Sequence, residues 1–304
     1  MAEKSRSLAP EHTSALLRGL GMRAGRQLDR LDHWPLDEWS GAPGLRFAGS
    51  DAVGWAGVLV VPVDTGGPAE WRTCSGGPAW IRWIGVDDRA ALGPRLRALL
   101  RAATQVSLDT GMNSLWLLCD SGGWLDPYLG EEGHRAVDEV ISLELSPAQA
   151  RPRAGVAAPD PPGHGLQRVD YRFAQPEDIA AVVAVDTRAF RDPWRYSPAT
   201  LARELSAASV ARLALQGNRL VGYATGVVRA GRGHINRIAV DPEAQGRGVG
   251  RGLLADIRAE LVGQGATQIT LNTQRSNVVS QRLYRSFGFR SFGPPLRVYH
   301  RPLA

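Results

Sequence analysis

The pattern of apolar and polar positions divides the chain into two halves, each predicted to contain both strands and helices. In the first half, short apolar runs rich in β-branched residues predict strands, and apolar residues at helical spacing predict helices. The predicted elements are a weak helix over 11–30, strands over 53–63, 71–74, 79–86, 114–119 and 137–145, and helices over 87–108 and 124–129. Asp87 or Asp88 is the expected N-cap of the longer helix.

The second half, from residue 166, has clearer boundaries. Pro176 followed by acids begins one helix, and Ser197 before Pro198 begins another. Gly217 and Asn218 connect two apolar runs as a hairpin turn. The predicted elements are strands over 169–173, 210–216, 220–228, 233–240 and 268–273, helices over 175–190, 198–205, 248–263 and 278–287, and extended segments over 289–299.

Residues 146–165 separate the halves. This stretch is rich in proline and alanine and has no apolar periodicity, which is typical of a linker. The strand–helix–strand spacing of 80–119 is similar to that of 235–271. The sequence therefore predicts two domains, 1–145 and 166–304, with the first as a second copy of the same fold. An unrelated α+β first domain is the alternative.

Composition narrows the class of protein. A hydrophobic content of 43% and a charged content of 22% are typical of a globular protein, and no apolar run reaches the length of a membrane span. The polar N-terminus lacks the apolar core of a signal peptide, and Cys74 and Cys119 are too few for a disulfide framework. We therefore expect a cytoplasmic protein. No His, Cys, Asp or Glu grouping has metal-ligand spacing, so no metal is predicted.

The net charge of +6 comes almost entirely from arginines that are interleaved with acids along the chain. Because they form no basic run, we do not expect a nucleic-acid partner. A mild positive field still favours an anionic small ligand.

The stretch 235–252 carries the clearest chemical signal. An apolar strand leads into Pro242, then into glycines at 246, 248 and 250, and then into a helix. Glycines let backbone N–H groups approach an anion, and the helix start directs its positive end at the same place. Arg247 and Arg251 add positive charge. The loop lacks the Lys-Ser/Thr ending of a Walker A loop and the third glycine of a dinucleotide fingerprint.

Two motifs in order resemble those of the GNAT acetyltransferase superfamily. Val240-Asp241-Pro242 followed by Gln245-x-x-Gly248-x-Gly250 resembles its acyl-CoA pyrophosphate loop. The later Asn277, Ser280, Tyr284, Gly288 and Phe289 resemble its Asn-x-x-Ala/Ser-x-x-x-Tyr-x-x-x-Gly-Phe pattern. The resemblance covers residues 166–304. It implies an α/β (α+β) fold with a mixed central sheet flanked by helices, in a tandem arrangement of two copies.

The first copy is expected to be degenerate. After Asp87 it has no Gly-x-Gly loop, and Tyr128 is not preceded by an asparagine at the matching spacing. We therefore assign no catalytic role to the first copy.

The resemblance implies acetyl-CoA as co-substrate, an amine as acceptor and a set of contact residues. The N–H of Val240 would polarise the thioester oxygen, and Tyr284 would protonate the leaving thiolate. The alternatives are a core aromatic for Tyr284 and a helix N-cap for Asn277. The residues expected to bind acetyl-CoA are Ile238, Ala239, Val240, Gln245, Gly246, Arg247, Gly248, Val249, Gly250, Arg251, Asn277 and Ser280.

The general base is less clearly marked. Acetyltransferases of the protein N-terminal alanine type have a glutamate where this chain has Asn272. Other members place a carboxylate early on the strand before the glycine loop, and that position is His234 here. Asp192, Glu204 and a chain of waters are the alternatives. Trp194 and Tyr196 are expected to border the acceptor pocket, or else to pack against their own helices.

The predicted function is direct transfer of an acetyl group from acetyl-CoA to a primary amine of a small molecule or peptide. Three alternatives stay open: a non-catalytic acyl-CoA-binding or interaction protein, a protein N-terminal or lysine acetyltransferase, and a small-molecule enzyme similar to mycothiol synthase. The acceptor stays open among these classes, because one fold serves many acceptors, and a homodimer is compatible with the sequence.

Overall fold

The computed structural model describes residues 24–29, 39, 42–50, 54–62, 76–87, 91–146 and 168–303. The chain forms two compact units, the first from 1–138 with 296–304 and the second from 139–295. The strands are β1 Ala24–Asp29, β2 Leu45–Ser50, β3 Gly54–Pro62, β4 Pro78–Asp87, β5 Ser114–Asp120, β6 Arg135–Leu145, β7 Val169–Phe173, β8 Val210–Gln216, β9 Arg219–Arg229, β10 Arg232–Val240, β11 Gln268–Gln274 and β12 Arg290–Pro302. The helices are α1 Leu92–Asp109, α2 Asp126–Glu131, α3 Ile179–Ala189, α4 Pro198–Ala207, α5 Val249–Gly263 and α6 Val278–Ser286.

The sheet of the first unit has the order β2-β3-β4-β5, with residues 296–302 of β12 antiparallel to β5. Strands β4 and β5 are parallel over only four residue pairs, from Pro78–Ser114 to Ile81–Leu117. Beyond that point the same edge of β4 pairs antiparallel with β1, from Trp83 to Asp87. Helix α1 packs the apolar face that contains Leu96, Leu99 and Leu100 against the sheet.

The sheet of the second unit has the order β6-β11-β10-β9-β8-β7, with residues 139–145 of β6 taking part. All neighbours in it are antiparallel except β10 and β11. Helix α5 buries Leu253, Leu254 and Ile257 in one core cluster, and α3 and α4 bury their apolar residues in another. Gly252 lets α5 lie on β7, since a Cβ there would overlap the Tyr171 hydroxyl.

Strands β10 and β11 separate after a short parallel pairing. They pair from Arg232–Gln268 to Ile235–Leu271, and β10 then continues to Val240 without β11. A bulge at Asn236 interrupts the register between β10 and β9 at the same point. A gap therefore opens between the carboxyl ends of two neighbouring parallel strands, directly before the glycine loop.

The predicted α/β class, with a mixed sheet flanked by helices, is confirmed. The helix predicted over 87–108 begins only at Leu92, with Ala91 as N-cap, because Asp87 is still paired as the last residue of β4. The end of the weak helix predicted over 11–30 is wrong, since 24–29 form β1. Pairing with a buried strand outweighs a helical pattern already weakened by Gly25.

Several predictions lie outside the described residues: most of the 11–30 helix, the 71–74 strand and the linker residues 147–165. The predicted domain boundaries stay a prediction. Among the described residues, no helix has both the length and the apolar composition needed to cross a bilayer.

Candidate active site

The turn after β10 is held in place by the buried carboxylate of Asp241. Its Oδ1 accepts the Glu243 N–H at 3.1 Å, and its Oδ2 accepts Arg188 Nη2 at 2.7 Å and Arg219 Nη2 at 3.1 Å. Burial alone would raise the pKa of Asp241, but these hydrogen bonds keep it below its ordinary value. The sequence motif included Asp241 without revealing the two arginines, which come from α3 and β9.

The glycine loop that follows faces solvent with unused backbone donors. Gly246 and Gly248 have φ values of +73° and +83°, a region that favours glycine, and a Cβ on either would meet no atom. The first bond of α5 runs from Gly252 N–H to Gly248 C=O, so the four N–H groups from Gly248 to Arg251 have no partner within the helix. The first turn contains no acid and Gly248 supplies no side-chain cap. The loop thus has the donors and space that an anion needs.

The two arginines that were predicted to bind acetyl-CoA lie beside this helix start. Arg247 is exposed, and Arg251 is held toward α6, with Nη1 at 3.4 Å from Ser286 Oγ and its guanidinium carbon 5.2 Å from the Phe287 ring centre. Val249 is buried in the core, so it anchors the loop rather than facing a ligand. The positive charge at this end of α5 adds to the helix dipole.

The gap between the strands exposes part of the β10 backbone. Asp241 N–H donates to Val221 C=O of β9 at 2.8 Å. Because successive N–H groups of a strand point to opposite sides, the Val240 N–H points away from β9 and into the gap. The carbonyl of Val240 has the same direction and accepts Gln245 Nε2 at 3.1 Å.

The remaining predicted strand residues divide between the two sides. Ile238 is half-buried, and its backbone has the same direction as that of Val240. Ala239 is buried against α3 and its carbonyl faces Gly222 of β9. Of the three, Ile238 and Val240 are therefore the residues whose backbones border the gap.

His234 is oriented by Thr270 of β11. Its Nδ1 lies 2.8 Å from Thr270 Oγ1, and that hydroxyl donates to Gly233 C=O at 3.2 Å. Since the hydroxyl proton is used there, His234 Nδ1 is the donor and Nε2 keeps its lone pair in the neutral ring. Burial lowers the pKa of His234, although nearby Glu204 opposes this. The ring is thus neutral near pH 7 and has one nitrogen able to accept a proton.

The carboxylates considered as alternative bases are placed differently. Glu204 of α4 is buried, and its Oε1 accepts Thr225 Oγ1 at 2.8 Å and Asn236 Nδ2 at 2.7 Å. Asp192 is exposed and faces Arg195 at 3.8 Å. Asn272, where a glutamate would mark the N-terminal alanine type, is exposed and its Oδ1 accepts the Ser142 hydroxyl at 2.9 Å.

Tyr284 lies on α6 with its ring buried and packed edge-on against Phe289, at 6.0 Å between centroids. Burial raises the pKa of Tyr284 to about 12, although a hydrogen bond from Ser280 opposes this. The phenol therefore stays protonated at neutral pH. It is both a core aromatic and a phenol able to donate a proton.

Helix α6 begins at Asn277, whose Oδ1 accepts the Ser280 N–H at 3.1 Å. Asn277 is therefore an N-cap, as the structural alternative had it. A Cβ on Gly250 would contact both Val240 and Leu283, so the end of β10, the start of α5 and α6 meet at one place. Among the described residues, no hydrogen bond joins His234 to Tyr284, and no group of three or more His, Cys, Asp or Glu gathers to hold a metal.

The loop with Trp194 and Tyr196 is attached to two charged residues that the sequence analysis missed. Trp194 C=O accepts Arg237 Nη2 at 2.8 Å, and Tyr196 N–H donates to Asp186 Oδ1 at 3.2 Å. Both Arg237 and Asp186 are buried. The sequence did contain a sign of these two residues. Each is a charged residue at an inward-facing position of an otherwise apolar element, the arginine in β10 and the aspartate in α3.

The second half of the chain matches a family model. The model described as the acetyltransferase (GNAT) family matches residues 179–289. The N-alpha-acetyltransferase RimI of Mycobacterium tuberculosis is 38% identical over 114 residues, which are 36% of this chain and 68% of that protein. The [ribosomal protein bS18]-alanine N-acetyltransferase of Escherichia coli is 30% identical over 112 residues, which are 37% of this chain and 74% of that protein.

Solved structures extend the likeness in fold to nearly the whole chain. A GCN5-related N-acetyltransferase from Sphaerobacter thermophilus matches with a TM-score of 0.60 at 17% identity, over 98% of this chain and 95% of that one. Another from Kribbella flavida gives 0.63 at 14% identity, over 99% of this chain and 72% of that one. At these identities the likeness concerns the fold alone.

Proposed function

The chain belongs to the acetyltransferase (GNAT) family of acyltransferases, and we propose that its second unit transfers an acetyl group from acetyl-CoA directly to a primary amine. The observation that carries this proposal is the gap between β10 and β11, which ends at an open, glycine-rich helix start. The helix start suits the pyrophosphate, and the backbone of Ile238 and Val240 suits the acyl-pantetheine arm. Arg247 and Arg251 are the proposed charged contacts, with Gln245, Gly246 and Gly250 shaping the loop.

The proposed reaction uses three groups of this chain. Nε2 of His234 takes the proton of the amine through intervening water, because six residues of β10, about 20 Å of extended strand, separate it from Val240. As the proton leaves, the amine nitrogen forms its bond to the thioester carbonyl carbon. The N–H of Val240 donates to the carbonyl oxygen as negative charge develops there. The bond from carbon to sulfur then breaks, and the phenol of Tyr284 gives its proton to the thiolate. Solvent then removes the proton that His234 gained and returns one to the Tyr284 phenolate, so both groups end as they began.

The acceptor is a primary amine of a small molecule or a peptide. The names of the relatives support a protein N-terminal amine, since the Escherichia coli protein is named for an alanine of a ribosomal protein. Asn272 supports the small-molecule alternative, because the glutamate of N-terminal alanine acetyltransferases is missing here. Asn277 and Ser280 are proposed to orient α6, and Trp194 and Tyr196 to border the acceptor.

We propose further that the first unit is a degenerate copy of the second. In both units a strand pairs in parallel with its neighbour over four residues and then has a bulge, at Arg82 in β4 and at Asn236 in β10. The first unit has no glycine loop before α1 and is assigned a structural role.

The proposed reaction is tested by thiol release from acetyl-CoA in the presence of small-molecule and peptide amines. An amine that stimulates release identifies the acceptor class, and His234→Gln should lower kcat/KM by about 100-fold. Because only the neutral ring is a base and its pKa is lowered, the acid limb of kcat/KM should lie below pH 6.5. His300→Gln in the first unit, also a half-buried histidine, is the control. Acetyl-CoA binding without stimulation by any amine, or full activity of His234→Gln, contradicts the proposal.

A further inference from the structure

One arginine of β10 occupies the centre of a buried polar cluster. Arg237 is the first residue after the bulge, and its Nε and Nη2 contact the two carboxylate oxygens of Asp186 at 2.6 and 3.0 Å. Tyr223 donates its hydroxyl to the same carboxylate at 2.6 Å. Asp186 and Tyr223 are fully buried. The guanidinium is therefore fixed in orientation by a two-point ion pair.

The same guanidinium holds the loop between α3 and α4. The rings of Phe190 and Tyr196 lie on it, each with its centre 3.7 Å from the guanidinium carbon, and Trp194 C=O accepts Nη2 at 2.8 Å. Tyr196 N–H adds a bond to Asp186 at 3.2 Å. The loop from 190 to 197 is thus attached near its beginning, middle and end to one side chain of β10.

Such a cluster does more for geometry than for stability. Replacing a buried ion pair by apolar residues is often neutral or stabilising. A gain in stability therefore does not by itself explain why this ion pair is present. What the planar guanidinium provides is a fixed spacing between two aromatic faces, a carboxylate and a carbonyl. Strand β10 also carries His234 and Val240. Arg237 therefore holds the loop in a defined position relative to the strand that carries the proposed chemistry.

We propose that Arg237 is a positioning residue that sets the loop 191–197 against β10 and thereby determines the affinity for the amine acceptor. This inference rests on the proposed function. Acetyl-CoA affinity should be independent of it, because the turn before the glycine loop is held separately by Asp241 with Arg188 and Arg219.

The second unit contains a matched control for Arg237. Arg212 of β8 is equally buried, contacts both carboxylate oxygens of Asp256 at 2.5 and 3.1 Å, and lies 4.1 Å from the ring centre of Phe173. It therefore makes the same kinds of contact, but with α5 and β7 instead of the acceptor-side loop. Lysine at either position keeps the charge and removes the planar fork.

The experiment compares Arg237→Lys, Arg212→Lys and the wild-type protein. We expect Arg237→Lys to raise the acceptor KM about 10-fold, to leave the acetyl-CoA Kd within about twofold, and to speed hydrogen exchange of 191–197. Arg212→Lys should lower the Tm without changing the acceptor KM or exchange in that loop. Phe190→Leu is a milder change that removes one aromatic face, and it should also raise the acceptor KM. It replaces Arg237→Lys in the comparison if Arg237→Lys fails to fold.

The outcomes separate this inference from the proposed function. If the wild-type protein acetylates no amine, the proposed function fails before any variant is compared, and the acceptor role of Arg237 fails with it. If the wild-type protein is active but folded Arg237→Lys or Phe190→Leu keeps the wild-type acceptor KM, the inference alone is overturned. Equal increases in acceptor KM for Arg237→Lys and Arg212→Lys also overturn it, since the effect would then be a general loss of packing.

Discussion

Strands β4 and β10 have the same construction and different neighbours. Each pairs in parallel with the following strand for four residues and then leaves it. In the first unit β1 pairs with the edge of β4 that becomes available, from Trp83 to Asp87. In the second unit, no strand among the described residues pairs with the corresponding edge of β10. Among the described residues, the same backbone geometry is thus closed by another strand in one unit and left open in the other.

The side chains along these strands differ in the same way. The third parallel pair is Trp80 with Trp116 in the first unit and His234 with Thr270 in the second. Farther along, Ile84 and Val86 are buried, whereas Ile238 and Val240 are only half-buried. In the first unit, Leu125 and Leu129 from α2 and the segment before it join this core cluster. The first unit has therefore filled with apolar side chains the region where the second keeps polar groups and space.

The largest expected difference between the units concerns their tyrosines. Tyr284→Phe should lower kcat by about 100-fold or more, because the phenol is the proposed acid and its pKa of about 12 keeps it protonated. Tyr128→Phe in the first unit should leave kcat unchanged. Steady-state thiol release measures both. Equal losses in the two variants would remove the distinction between the units, and wild-type kcat in Tyr284→Phe would remove Tyr284 from the reaction.

Acid should weaken the first unit through His134. Its ring is buried, and this burial, with nearby Arg301, lowers the pKa of His134 to about 4. A proton then favours the unfolded chain, where the pKa is about 6.5. The neutral ring is fully compatible with folding above pH 6.5, and stability falls as the pH drops from 6.5 to 4, by up to about 3 kcal/mol.

The measurement for His134 is the free energy of unfolding in urea at several pH values. His134→Leu cannot take up a proton, so this variant should lose the corresponding part of the pH dependence between 4 and 6.5. His300→Leu is the control, since the ring of His300 is only half-buried, whereas that of His134 is buried. An unchanged pH slope in His134→Leu would show that the first unit is not weakened through this histidine.

The smallest expected effect is the difference between an alanine in the glycine loop and an alanine in an ordinary hairpin turn. Gly248→Ala and Gly217→Ala both place a Cβ in open space at a positive φ, +83° and +58°, so each should cost about 1 kcal/mol of stability. Only Gly248→Ala should also weaken acetyl-CoA binding, by about 10-fold, because its backbone borders the proposed phosphate site. Isothermal titration calorimetry should find one site per chain. A second site, or equal loss of affinity in both variants, would contradict the assignment of the loop.

Local patterns predicted most of the second unit. The hairpin across Gly217 and Asn218 and the cap at Ser197 follow from short-range rules, and both are present. The errors lie where a distant strand decides the outcome. Residues 24–29 become β1 only because β4 offers an edge, and the same pairing keeps Asp87 in a strand instead of a helix cap. Neither effect is visible in a window of neighbouring residues.

The candidate site shows the same division. The glycine loop, His234 and Tyr284 could be singled out because their chemistry is carried by residue type and spacing along one segment. The partners that orient them could not. Thr270 for His234 and Arg188 for Asp241 come from other elements, and a sequence window contains no information on which elements become neighbours.

Local periodicity and motifs at fixed spacing were sufficient to predict the α/β class, the position of the glycine loop and the family resemblance of the second half. The tertiary structure alone decided that β1 closes the edge of β4 and that the edge of β10 stays open. It also joined Arg237 to Asp186 and to the loop around Trp194. The physical reason is that pairing and burial depend on which distant groups meet, and each buried charge or open strand edge acquires its role from those neighbours.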